Sequence, residues 1–163
     1  MALTAAQNAT LKAAINADPT LSAYPNTPDG SQDMCNQQLN LNAIPSYICW
    51  KPLVAINATG EVFDGTEWAG MTAANISRLS CVAAYLVQGY NASRADVREM
   101  FNDVWSGAGG QITRTNLLAF WKRSAWLGEK ILKTIGAGTD ADPATLGYVG
   151  ALSGSDVQTA RNS

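Results

Sequence analysis

The residues able to do chemistry are few. The chain holds no histidine, so the commonest general base near neutral pH and the commonest metal ligand are both missing. Ser-His-Asp and Cys-His arrangements are excluded with it, as are histidine-containing zinc sites. Cys35, Cys49 and Cys81 are scattered, with no C-x-x-C pair, which argues against a thiolate metal site and reads instead as small buried thiols. Asp96, Glu99 and Asp103 are carboxylates of the type a glycosidase pair needs. They interleave with Arg94 and Arg98 at helical spacing, the pattern of a solvated face with ion pairs. Gly107-Ala108-Gly109-Gly110 precedes a helical pattern, and helix N-termini can hold phosphates. No strand precedes that loop, and it lacks both GxGxxG spacing and a following Gly-Lys-Ser/Thr, so it reads as a helix-to-helix turn. No catalytic constellation emerges, and the reading is a non-enzyme without cofactor or metal.

The elements that carry these residues are mostly helices. Thr4-Ala5-Ala6-Gln7 has the form of a capping box, and Leu11, Ala14 and Ile15 follow as one apolar stripe. Asp18-Pro19 stops that helix. Thr27-Pro28 starts a second, expected to run to about Leu39. Residues 40–70 break the pattern with prolines, glycines and asparagines, and predict an irregular segment with a short strand or hairpin near 53–63, anchored by Trp50 and Trp68. Thr72 can cap a helix with Ile76, Leu79, Ala83, Leu86 and Tyr90 on one face. Ser93 opens another, with Val97, Met100, Phe101, Val104 and Trp105 as its stripe. The longest helix is predicted over residues 113–135. There Trp121 and Trp126 fall on different faces, and Trp126 is the expected exposed aromatic. Gly136 and Gly138 supply a left-handed stop.

The fold class expected is therefore mainly α: a small helical bundle over residues 1–135, with an irregular or short-β segment around 40–70. Residues 136–163 form a second region. Sixteen of these twenty-eight residues are Gly, Ala, Ser or Thr. A segment with so little apolar surface orders on a partner rather than on itself. The expectation is an extended C-terminal arm ending in a short helix capped by Ser153 or Ser155 and running through Arg161.

Composition narrows the partners. Charged residues make up 15% of the chain, low for a globular domain and in keeping with surface buried against partners. Residues 1–70 carry −4, residues 71–135 carry +4 and residues 136–163 carry −2. A positive middle between negative ends lets copies pack head to tail. No Lys/Arg run exceeds Lys122-Arg123, and the acidic balance argues against a dedicated nucleic-acid binder. An odd cysteine count without a signal peptide suggests a reducing cytoplasm. No apolar run approaches a membrane span.

The two ends carry a resemblance. LTAAQNATLKAAINADPTLSAYPNTPDG at the start and GAGTDADPATLGYVGALSGSDVQTARN at the end resemble the ends of a family of small tailed-bacteriophage virion-structural proteins. Within that group, the size and helix content are similar to head–tail connector adaptors. The resemblance implies a ring of identical subunits, commonly about twelve in closed cyclic symmetry, between the portal protein and the next neck or tail protein. It implies assembly in the bacterial host cytoplasm and residence in the virion. Exposed bases leave room for weak contact with packaged DNA. Docking is expected through the arm, with Leu146, Tyr148 and Val149 adding to a neighbour's sheet edge and Asp156, Val157 and Arg161 locking into a subunit cleft. The alternatives are a capsid cement or tail-completion protein and, from another class, a phage-encoded inhibitor of a host protein.

Overall fold

The structure, a computed structural model, describes residues 2–163. In chain order its elements are α1 (Ala5–Ala17), α2 (Pro19–Ser22), α3 (Pro28–Met34), which continues as a π-helical turn over Cys35–Leu39, β1 (Ile48–Trp50), α4 (Ile56–Gly60), α5 (Gly65–Ala69), α6 (Ala73–Tyr85), α7 (Ala95–Val104), α8 (Gln111–Phe120), β2 (Lys122–Ser124), α9 (Leu127–Ile131), β3 (Lys133–Ile135), β4 (Thr145–Leu146) and α10 (Gly154–Asn162). The chain is mainly α-helical, as its periodicity predicts. Among the described residues no helix is long and apolar enough to cross a membrane.

The helix starts follow from local chemistry. Thr4 and Gln7 close the capping box of α1: the Thr4 side chain accepts from the Gln7 amide and the Gln7 side chain from the Thr4 amide. Asp18 ends α1 and caps α2 by accepting from the Thr20 and Leu21 amides. Thr27 caps α3 with Pro28 in its first turn.

The chain divides at 49/50 and again at 123/124, not at the 135/136 boundary that composition suggested. Unit 1 is Met1–Cys49 with Ser124–Ser163; unit 2 is Trp50–Arg123. Residues 136–163 are thus part of unit 1 rather than a separate extended arm. The core of unit 1 gathers Leu11 and Ile15 of α1, Met34 of α3, Leu152, and Val157 and Ala160 of α10. Its small antiparallel sheet pairs Lys133 with Leu146 and Ile135 with Thr145. A second cluster gathers Ala43, Tyr47, Cys49, Ala125 and Ala144.

Unit 2 packs Val97, Phe101, Val104 and Trp105 of the α7 region with Leu117 and Trp121. The stripe expected on α7 is the one buried. Inside this core the Tyr90 hydroxyl meets the Thr59 hydroxyl at 2.7 Å and accepts from the Trp121 indole at 2.8 Å. Trp50 packs against the same core, and Trp68 stacks on Phe63 with centroids 5.8 Å apart.

Three sequence expectations are corrected here. No hairpin forms at 53–63. Val54 exchanges backbone hydrogen bonds with Tyr90, and the chain then turns helical, the Thr59 amide donating to the Ala55 carbonyl in α4 and Asp64 capping α5. The face expected on α6 is only partly used. Val82 is its buried residue, Ile76 is exposed, and the helix ends at Tyr85, so Leu86 and Tyr90 reach the core from the following turn. The single helix over 113–135 does not exist. The Trp121 carbonyl, which would accept from Ala125 in a continuous helix, accepts from Lys51 instead. The Ala125 amide donates to the Tyr47 carbonyl. Both exchanges replace the helical bond with a strand-like one, and α9 restarts where the Glu129 carboxylate accepts from the Trp126 amide.

Candidate functional site

The residues expected to dock a neighbour lie around β4 and α10, and the structure turns most of them inward. The N- and C-terminal segments of the chain meet there. α10 packs against α1 and α3, and polar bonds seal the seam. Arg161 donates to the Tyr24 and Pro25 carbonyls at 2.9 and 3.0 Å. The buried Ser31 hydroxyl donates to Gln158, Gln158 to Asn26, and Asn26 to Asn162. Asn40 holds the backbone of Leu152 from both sides, its amide donating to the Leu152 carbonyl and its oxygen accepting from the Leu152 amide.

Each predicted docking residue can now be placed. Val157 has no exposed surface and belongs to the core of unit 1. It cannot lock into another subunit's cleft without unfolding its own. Asp156 is a helix cap: it accepts from the Ser153 amide and hydroxyl, while Ser153 accepts from the Asp156 amide. Arg161 is committed to the two carbonyls named above. Leu146 is half-buried against the Ala43–Ala144 cluster, and its strand pairs with β3 of the same chain rather than a neighbour's edge. Tyr148 is half-buried on the unit 1 core and donates to the Ala151 carbonyl. Burial pushes its phenol pKa up, with Asp156, Cys35 and Glu129 adding to the shift. Trp126 is half-buried, not the exposed aromatic expected: the continuous helix that would have turned it outward does not form, and its backbone bridges Asn42 instead. Val149 alone of the set presents a largely open side chain, 48% exposed.

Among the described residues, the open large apolar side chains of unit 1 are Leu41, Ile44, Ile135 and Val149, with Ile44 91% exposed. Sequence reasoning missed Leu41 and Ile44. The signal was available: two aliphatic residues in a stretch rich in Asn, Ser and Pro, where no helical stripe could bury them.

Cys35 is buried, and burial, aided by Asp156, pushes its thiol up to about 11, which keeps it protonated. Among the described residues there is no group of three or more Cys, Asp or Glu able to hold a metal ion. The helix start after the glycine turn is already filled. Glu67 accepts from the Ile112 and Thr113 amides at 2.8 Å each, so the first turn of α8 holds this chain's own carboxylate.

Comparison with known proteins gives no match: no family model, no curated protein and no solved structure matches the chain significantly.

Proposed function

We propose that the chain is a structural component of a tailed-phage particle, a head–tail connector of adaptor type that closes into a ring of identical subunits and docks on the portal protein. One observation carries this reading. The two segments that resemble the virion-structural family are separated by residues 31–135, yet α1, α3 and α10 share one core in unit 1. A likeness at both ends is therefore a likeness of one folded module, into which unit 2 is inserted. Kinship of a module is stronger support than two unrelated short stretches.

The docking surface follows the structure rather than the arm. Leu41, Ile44, Ile135 and Val149 are the apolar side chains of unit 1 left for a neighbour to cover. Burying a side chain such as Ile44 on assembly contributes about 1.5–3 kcal/mol. Unit 1 carries four bases against seven acids and unit 2 seven against six. Opposite net signs on two parts of one chain suit a head-to-tail ring, in which two different patches meet.

The test is the composition and form of particles. Peptides of this chain should appear in purified virions, and disrupting its gene should give full heads lacking tails. Unstable heads would instead indicate a cement protein, and absence from finished particles would favour an inhibitor of a host protein. Ile44→Asp should leave the fold intact and abolish ring formation as judged by native mass measurement.

A further inference from the structure

Unit 2 holds a cleft of about 490 Å³ between α7 and α8, within the range small-molecule sites occupy. Its polar lining is one-sided. Arg98 and Arg114 face it together with Asn102, Ser106 and Gln111, and no carboxylate lines it.

Both guanidiniums are held in place. Arg98 lies over the Trp50 ring, 4.2 Å from its centroid, and one of its terminal nitrogens donates to the Ala92 carbonyl at 2.5 Å. Arg114 uses one terminal nitrogen on the Trp105 and Gly107 carbonyls. Neither has a carboxylate within ion-pair distance among the described residues. Each keeps its Nε and second terminal nitrogen without an acceptor among those residues. Glu67 is the acid whose charge Arg114 feels, but its two oxygens are already spent on the Ile112 and Thr113 amides. Partial burial holds the Arg98 pKa below its ordinary value, against the pull of Glu99 and Asp96. A partly desolvated cation with no carboxylate in contact carries a cost that a bound anion reduces.

We propose that this cleft is a phosphate-binding site. Two fixed guanidiniums match a dianion, and a planar fork with free Nε and Nη protons suits paired phosphate oxygens. The amides of Asn102 and Gln111 and the hydroxyl of Ser106 supply further donors for the remaining oxygens. A carboxylate offers fewer acceptor sites and half the charge. The cleft is much larger than one phosphate, so the group arrives attached to a larger body. That body is either a small phosphorylated molecule or the backbone of a nucleic acid. The site uses residues distinct from the exposed apolar side chains of unit 1 and does not depend on the connector reading.

The experiment is a titration of the full chain with inorganic phosphate, pyrophosphate, acetate and a short DNA duplex, read by calorimetry and by the arginine Nε–H resonances. Phosphate and pyrophosphate should saturate and shift the signals of Arg98 and Arg114, with acetate much weaker. A duplex that pyrophosphate displaces assigns the group to nucleic acid; a duplex that does not bind assigns it to a small phosphorylated molecule. Asn102→Asp, on the exposed side of the cleft, should weaken pyrophosphate by about tenfold or more, the worth of one charge-assisted hydrogen bond, at unchanged Tm. Arg98→Lys should weaken it while keeping the charge, because the fork is lost. No saturable binding, acetate binding as tightly as phosphate, or affinity that Asn102→Asp leaves intact would each overturn the assignment.

Discussion

Val157→Ala separates a docking arm from a core helix. Val157 has no exposed surface and packs within the core of unit 1. The change removes two methyl groups. At about 0.8 kcal/mol for each buried carbon, the transfer contribution is about 1.6 kcal/mol. The void left, roughly 50 Å³ at about 24 cal/mol per Å³, adds about 1.2 kcal/mol if the site does not collapse. Partial relaxation brings the expected loss to about 2–3 kcal/mol. For a chain of this length each kcal/mol moves Tm by about 2–4 °C, so the midpoint should fall by about 5–10 °C. Thermal unfolding of the isolated protein by far-UV circular dichroism reads this directly. Val149→Ala, at a position 48% exposed on the same C-terminal segment, is the control and should leave Tm in place. A Val157→Ala variant that melts with the wild type would mean that α10 is not part of the core and that the two ends do not form one module.

Three further outcomes follow from the same geometry. Alkylation of the native protein should modify Cys81 first, since it is exposed while Cys35 and Cys49 are buried and the Cys35 thiol sits near 11; mass spectrometry of the trapped peptides would show otherwise if the core were open. Gly138→Ala should cost at least about 1–2 kcal/mol for its left-handed backbone alone, because φ there is +76° and the added methyl would fall on the Tyr47 ring; urea titration measures it. Glu67→Gln should flatten the acid limb of stability. Burial works to raise the Glu67 pKa, but the bonds from Thr113 and Ile112 and the charge of Arg114 outweigh it and hold the carboxyl below its ordinary value. A depressed folded pKa contributes stability above the unfolded value and loses it as pH falls through the folded one. Wild type should therefore lose stability faster than the variant on acidification below the usual glutamate range. Parallel denaturation curves at each pH would contradict the assignment.

What could be read from the sequence was local. The caps of α1, α3 and α10 lie within four residues of the groups they satisfy, so Thr4, Thr27 and Ser153 announce their helices without tertiary help. The break after α8 was invisible because it is decided by bonds to distant chain: Lys51 and Tyr47 take the two groups that would have continued the helix. The candidate arm misled for a different reason. Its many small residues carry little apolar surface, but in α10 they permit close approach. A Cβ at Gly154 would press on the backbone and side chain of Gln32, and Ala160 is fully buried. Smallness there is a packing feature. Of the cleft residues, Arg98 is legible in the sequence only as a helix-face charge and Arg114 has no signal of its own, since nothing in their spacing shows that Trp50 and the end of α7 fix their orientation.

The order of the halves of unit 1 along the chain has a consequence for synthesis. α1 and α3 leave the ribosome well before the helix that completes their core. At about 5–20 residues per second, the nascent N-terminal helices wait roughly 6–25 seconds with an apolar face uncovered. Unit 2, contiguous in sequence, has its whole core available before that moment. Translation thus imposes a schedule in which the inserted part is complete first and the bipartite module closes only once α10 has been made.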